Sequence, residues 1–356
     1  MAEITYAKEL GKKHVMQIRK ILSELPPYVA SYNRSIEETT QPRTRIGYLT
    51  DIKAFFDYLI ESNSYIKSSS GGSTKGIKTD ALNNLTAQDF EEYLEYVTYY
   101  VKDGREYTND SRSKKRKICA LRGFFKYLYI NDYIEQNVTE KVATPKIHDK
   151  AIIRMETDEV ADFLDNVEYG SCLTSRQQAF HEKEKTRDLA LLTLMLSTGI
   201  RVSECVGLNI NDVDIKNTRI KVTRKGGYEA FVYFSDEALE PLLAYMEERK
   251  KMKDVKAGHE DALFLSSHRS RITVRTVQHL VKKYAEVTTP MKHITPHKLR
   301  STYGTALYHE TGDIYLVADV LGHKDVNTTR KHYADMDQER KRGARNVVTL
   351  RENKND

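Results

Sequence analysis

The chain has 356 residues, 39% of them hydrophobic and 30% charged, with a formal net charge of +6. That length accommodates two domains with cores of their own, and no apolar run approaches the length of a membrane span, which argues against membrane insertion. Residues 1–150 hold 24 basic and 20 acidic side chains and the remainder 33 and 31, so any case for a nucleic-acid partner rests on local clusters rather than bulk charge.

Cys119, Cys172 and Cys205 are far apart and odd in number. They suit a reducing compartment, not a disulfide framework, and imply a cytoplasmic protein. The opening "AEITYAKELGKKH" lacks the apolar stretch of a secretory signal. In "PRTRIGYLTDIKAFFDYLI", Ile46, Leu49, Ile52, Phe56 and Leu59 recur at three and four, the stripe of an amphipathic helix. "SSSGGSTKG" (68–76) has no period and reads as a loop. Thr86 then caps a helix through "AQDFEEYLEYVTYYV", with Phe90, Leu94, Val97 and Val101 inward. A further helix, "SRSKKRKICALRGFFKYLYI", buries Ile118, Leu121, Phe125 and Leu128. These elements make residues 1–138 an all-helical domain. Residues 139–155, with Pro145 and no periodicity, are the linker.

Residues 156–356 form the second domain. Helical pattern resumes at Thr157, and "EYGSCLTSRQQAFHEKEK" is irregular. The apolar helix "RDLALLTLMLST" ends on Gly199 as a left-handed cap. Two β-rich runs flank Lys225-Gly226-Gly227, a hairpin signature. Helices follow over 235–251, 273–287, 295–310 and 313–321. The expected fold is mainly α with a small antiparallel β-sheet, without internal repeats.

Several local patterns point to an anion. In "TPHKLR", Thr295 is an N-cap and Pro296 the first helical residue, so His297 and Arg300 share a face beside free N–H groups and the positive end of the helix dipole. By itself an HxxR pair is more commonly a local cap and a solvated arginine. In "STGIRVSE", Arg201 follows a tight turn and Glu204 lies three residues on. A carboxylate-held guanidinium is aimed in advance at a phosphate, although a plain surface ion pair is the commoner reading. Lys225 at a hairpin tip can swing and donate a proton, yet exposed turn lysines abound. In "LGHKDVNTTRKHYADM", His323 follows a Gly turn, and Tyr333 comes directly after Arg330, Lys331 and His332. Those neighbours suit a group that meets an anion, not a core tyrosine.

Taken in order, Arg–Lys–HxxR–His–Tyr resembles the tyrosine recombinases, and nearly the whole chain shares the resemblance. It implies a helical core-binding domain ahead of an α/β catalytic domain, with Arg201, Lys225, His297, Arg300, His323 and Tyr333 as catalytic residues and Glu204 in support. The His323-to-Tyr333 spacing is ten where nine is frequent. The leader "KILSELPPYVASYNRSI" resembles the Xer subgroup, in particular its members that act as a single recombinase. The resemblance assigns roles to five of these six catalytic residues. Arg201 and Arg300 clamp the phosphate, and His297 accepts the phenol proton or holds the phosphate. Tyr333, whose phenol ordinarily titrates at about 10, attacks phosphorus to give a 3′-phosphotyrosine, and Lys225 protonates the leaving 5′ oxygen.

The implied partners are double-stranded DNA at a specific recombination site and three further copies of the chain, a homotetramer on two sites. A septal DNA translocase is one candidate activator. No cofactor is expected: there is no Walker motif, and His293 and His297, four apart around Pro296, are better explained by the HxxR role than by a metal. The basic run "SRSKKRK", usually a solvated face, becomes with a DNA-cutting domain a phosphate contact through Arg112, Lys114, Lys115 and Lys117, with Arg43 and Arg45 acting likewise. Arg275, Gln278 and Lys282 are expected to face outward from one helix, as in a major groove. The tail "DQERKRGARNVVTL" either docks on a neighbouring protomer or is a basic end touching DNA. The expected function is site-specific recombination that resolves chromosome dimers. The alternatives are an integrase or excisionase of a phage or conjugative element, disfavoured by the lack of an evident arm-binding domain, and a non-catalytic DNA-binding module, disfavoured because every catalytic position is filled.

Overall fold

Apolar residues at helical spacing dominate the chain, and the computed structural model, which describes residues 6–147, 152–224, 226–323 and 325–326, divides into two compact units, 1–149 and 150–356. The first unit contains α1 (Tyr6–Ser23), α2 (Pro27–Ser35), α3 (Pro42–Ser62), α4 (Ser64–Ser69), α5 (Thr79–Asn83), α6 (Ala87–Tyr96) and α7 (Ser111–Ile130). Pro27 and Pro42 occupy first helical positions, where a missing N–H costs nothing. Asp110 caps α7 by accepting the Ser113 N–H at 2.9 Å. The core is made where Leu49, Phe55, Phe56 and Leu59 of α3 meet Leu121, Phe124, Phe125 and Leu128 of α7. Phe90 of α6 stacks on Phe55 at 4.8 Å and meets the edge of Phe125 at 5.0 Å.

One expectation fails here. The helix begun after Thr86 does not run through Val101. It stops at Tyr96, and the chain turns into β1 (Tyr99–Lys102) paired antiparallel with β2 (Arg105–Thr108), Tyr100 opposite Tyr107. Asp103 and Gly104 have φ of 51° and 70°, the two left-handed residues of a type I′ hairpin turn. The β-rich run "TYYV" and the Asp-Gly pair outweigh helical continuation. Val97 is buried, but Val101, expected inward, is 55% exposed on the hairpin. The unit is therefore not all-helical.

The second unit contains α8 (Thr157–Tyr169), α9 (Ser175–Thr198), α10 (Val202–Gly207), β3 (Val213–Asp214), β4 (Arg219–Thr223), β5 (Glu229–Tyr233), α11 (Asp236–Lys251), α12 (Val274–Thr288), α13 (Pro296–Thr311) and α14 (Ile314–Leu321). The sheet order is β3-β4-β5, antiparallel throughout, with Ile220 opposite Val232. α9 starts well before its apolar stretch: Thr174 caps it and the Gln177 side chain accepts the Thr174 N–H at 3.0 Å. The stretch expected to be irregular is thus mostly helix, polar in its first turns. Its apolar half buries Leu191, Leu192, Leu194 and Met195 in a core shared with Leu242 and Tyr245 of α11, Val277 and Val281 of α12 and Leu299 of α13. No helix among the described residues is long and apolar enough to cross a membrane.

Candidate active site

The site begins at two helix ends. Gly199 closes α9 with φ of 60°, and a Cβ there would lie 2.4 Å from Tyr303 Cδ1 and 2.8 Å from Leu321 Cδ2. Only glycine satisfies both the left-handed backbone and this close approach of α13 and α14. Arg201, two residues on, is the N-cap of α10. Its Nη1 donates to Glu204 Oε1 at 2.8 Å and its backbone N–H to Oε2 at 2.9 Å. Its Nη2 reaches the Gly322 carbonyl at 3.2 Å.

Arg300, one turn into α13, donates from Nη1 to the Gly199 carbonyl at 2.7 Å and from Nη2 to the Leu321 carbonyl. A third guanidinium completes the arrangement. Arg224 Nη1 donates to Glu204 Oε2 at 3.2 Å and Leu321 O at 3.3 Å, and Nη2 to Val320 O at 2.9 Å. The hydrogen bonds form a closed circuit running Arg201, Glu204, Arg224, Leu321, Arg300, Gly199 and, through Ile200, back to Arg201. Two of the three guanidiniums, Arg201 and Arg224, bond one buried carboxylate, while Arg300 bonds the Gly199 and Leu321 carbonyls. The carbonyls ending α9 and α14 carry partial negative charge that offsets part of the excess.

The arginines differ in access. Arg201's side chain is 31% exposed, whereas Arg300 is buried with its fork turned onto main-chain carbonyls. His297 lies exposed in the first turn of α13, its carbonyl accepting the Ser301 hydroxyl at 3.1 Å. His323 is half-buried beyond Gly322 (φ 62°), and its backbone N–H returns to Ala318 O at 2.8 Å. Cys205 of α10 is fully buried, which pushes its thiol up and makes it a poor nucleophile. Lys225, Tyr333 and the tail beyond Tyr333 lie outside the described residues.

Of the residues expected to meet DNA, Arg43 and Arg112 are exposed and Lys115 is half-buried, while Lys114 donates to Thr98 Oγ1 at 3.1 Å. Arg45 and Lys117 are not presented to solvent. Arg45 is buried and paired with Glu37 at 2.9 Å; Lys117 is buried and paired at 3.3 Å with Asp51, a carboxylate that also takes the fork of Arg116. The reason is helical period: Arg45 precedes Leu49 by four and Lys117 precedes Leu121 by four, so each extends an apolar stripe inward. On α12, Arg275, Gln278 and Lys282 face out while Val277, Val281 and Tyr284 are buried.

Arg224 was absent from the residues marked by sequence. A signal for it exists, since the alternation of β4 buries Ile220 and Val222 and carries the next inward position to residue 224.

Comparison with known proteins decides the lineage. The model of the phage integrase family matches residues 154–340. Tyrosine recombinase XerS of Streptococcus uberis is 35% identical, over 88% of this chain and 93% of that protein. The chain belongs to the phage integrase family of tyrosine recombinases and is of the Xer type. XerS of Streptococcus thermophilus is 33% identical over 93% of this chain and 98% of that protein, and XerS of Lactococcus lactis subsp. cremoris 30% identical over 92% and 97%. Two solved structures share the fold. XerH site-specific recombinase, in its post-cleavage complex with palindromic difH substrate, matches with a TM-score of 0.62 at 20% identity over 86% of this chain and 80% of that one. A lambda integrase dimer bound to a core site matches with a TM-score of 0.57 at 16% identity over 92% and 98%.

Proposed function

We propose that this recombinase cuts and rejoins DNA at a specific site through a 3′-phosphotyrosine on Tyr333, works in the cytoplasm as a homotetramer on two sites, and resolves chromosome dimers. One observation supports the chemistry: Arg201 and Arg224 share a single carboxylate, Glu204, and Arg300 joins them through the Gly199 and Leu321 carbonyls at the ends of α9 and α14. Such an excess of fixed positive charge suits a phosphodiester whose charge grows in the transition state.

In this reading the Tyr333 oxygen attacks phosphorus and the bond from phosphorus to the 5′ oxygen breaks. The phenol proton passes to His297, and Lys225 gives a proton to the departing 5′ oxygen. Arg201 and Arg300 hold the non-bridging oxygens, and His323 adds a further donor. Losing one such donor typically costs about 100- to 1,000-fold in rate. A 5′-hydroxyl from the partner strand then attacks the phosphotyrosine and releases the tyrosine. Each step trades one phosphoester for another, so no nucleotide is consumed. The chromosomal role draws on the likeness to the XerS proteins over most of the chain. The outward Arg275, Gln278 and Lys282, with Arg43, Arg112, Lys114 and Lys115, are the proposed DNA contacts.

The test is a nicked DNA substrate that traps the covalent intermediate. Wild-type protein should form an adduct that maps to Tyr333, and Tyr333→Phe should bind the same DNA with unchanged affinity while forming none. Adducts on the Phe variant would show that the nucleophile lies elsewhere.

A further inference from the structure

We infer that Arg224 is a positioning residue for strand cleavage, holding Arg201 and the Gly322–His323 turn in register from beneath; this rests on the function proposed above. Arg224 is 5% exposed, and its guanidinium is already engaged by Glu204 and the Val320 and Leu321 carbonyls. Its guanidinium touches two structures that the chemistry needs. Through Nη1 it holds Glu204, whose two oxygens fix both the backbone and the side chain of Arg201. Through both Nη atoms it holds the Val320 and Leu321 carbonyls at the end of α14, the last residues before Gly322 and His323.

The fit is close. A Cβ on Gly322 would lie 2.9 Å from Arg224 Cζ, so the turn is packed directly on the guanidinium. The main chain of Arg224 also closes the turn of the β4–β5 hairpin: its N–H donates to Tyr228 O at 2.8 Å, and its carbonyl accepts the Gly227 N–H at 3.0 Å. One residue thus fastens the hairpin, the brace of Arg201 and the α14 end to each other. A planar fork can serve a carboxylate and two carbonyls at once. A lysine ammonium has the charge, but not a fixed fork to span them.

The consequence is specific to rate. If Arg224 sets geometry, removing it lets Glu204 and the α14 end drift, and a displacement of about 1 Å costs about 100-fold in a positioned reaction. DNA affinity, which resides in outward-facing cations, should stay.

The experiment uses the full chain, wild type against Arg224→Gln and Arg224→Lys, with three readouts: thermal melting, equilibrium binding to a duplex carrying the recombination site, and single-turnover adduct formation on the nicked form of that duplex. The expected result is binding unchanged, adduct formation by Arg224→Gln lower by about 100-fold, and a clear rate loss in Arg224→Lys as well. Should Arg224→Gln fail to fold, Arg224→Lys is judged by the same split between binding and rate. The inference is overturned if folded variants cleave at the wild-type rate, or if cleavage falls only in proportion to binding and folded fraction. A wild-type protein that forms no adduct at all would instead sink the proposed function on which the inference stands.

Discussion

Replacing Glu204 by alanine is the sharpest stability test of the arginine circuit. The carboxylate is buried, with 3% of its side chain exposed, and takes bonds from the Arg201 main chain at 2.9 Å, Arg201 Nη1 at 2.8 Å and Arg224 Nη1 at 3.2 Å. Arg201 can turn part of its charge to solvent, being 31% exposed, but Arg224 cannot, its side chain being 4% exposed. Glu204→Ala therefore removes the one carboxylate from a buried cation and leaves it only the Val320 and Leu321 carbonyls, and breaking a buried pair in this way typically costs about 3–5 kcal/mol. In a unit of this size each kcal/mol moves the melting point by about 2–4 °C, so the drop should be about 6–20 °C. Glu204→Gln keeps the shape and one acceptor but turns an amide donor toward a guanidinium. It should lose about 1.5–3 kcal/mol, the worth of a charged hydrogen bond. Calorimetry on the full chain gives the order wild type, Gln, Ala from most to least stable. An alanine variant melting with the wild type would refute the reasoning, because it would mean that the Val320 and Leu321 carbonyls, or water, hold Arg224 as well as the carboxylate does.

Two further outcomes separate structural from DNA-facing charge and locate a titrating group. Arg112→Gln and Lys115→Gln should reduce the slope of log affinity against log salt by about 0.9 for each phosphate that is no longer neutralised. Arg45→Gln, which removes the buried partner of the exposed Glu37, should leave that slope alone and lower the melting point. His181, 1% exposed, has its ring kept below its ordinary 6.5 first by burial and then by the Lys283 charge, with the Tyr284 hydroxyl 3.0 Å from Nδ1 and Asp188 and Glu182 nearby. The unfolded chain then binds the proton more readily than the folded one. The stability held by neutral His181 is complete above about pH 6.5 and is lost as pH falls through the window beneath it. His181→Gln should flatten that part of the melting-point profile, and an unchanged profile would count against the assignment.

How much of the fold is legible in the sequence depends on how far each signal reaches. The β4–β5 hairpin, the left-handed cap at Gly199 and the four helices after residue 235 are local: turn chemistry and a short apolar period specify each. The β1–β2 hairpin is equally local, and Asp103-Gly104 announces it, but the preceding stripe through Val97 draws the helix too far. The start of α9 is hidden because its first turns are polar and its signal is the Thr174–Gln177 cap instead of a stripe. Arg45 and Lys117 show the opposite error. Charge type suggests an outward role, while their positions on the stripes dictate burial, and the partners that make burial tolerable, Glu37 and Asp51, lie on other turns or another helix. No reading of composition pairs a lysine at 117 with an aspartate at 51.

The same distinction explains why the sequence could nominate candidate residues for the site but not their internal bonding. Chemistry fixes which side chains a phosphate needs, but only packing says what else they touch. Arg300 directs both arms at the carbonyls of Gly199 and Leu321, and Arg201 sends one to Gly322. Those carbonyls end helices, where their partial negative charge is concentrated. They give the buried Arg224 and Arg300 acceptors beyond the one carboxylate, so that neither is a buried cation left unpaired, which would otherwise cost several kcal/mol each. The circuit therefore solves a folding problem with groups proposed for catalysis, and it leaves more positive than negative formal charge at the one edge, Arg201, that reaches solvent. In the proposed function, a backbone phosphate arriving there would supply the anion the circuit lacks, so charge would be selected before any base is read.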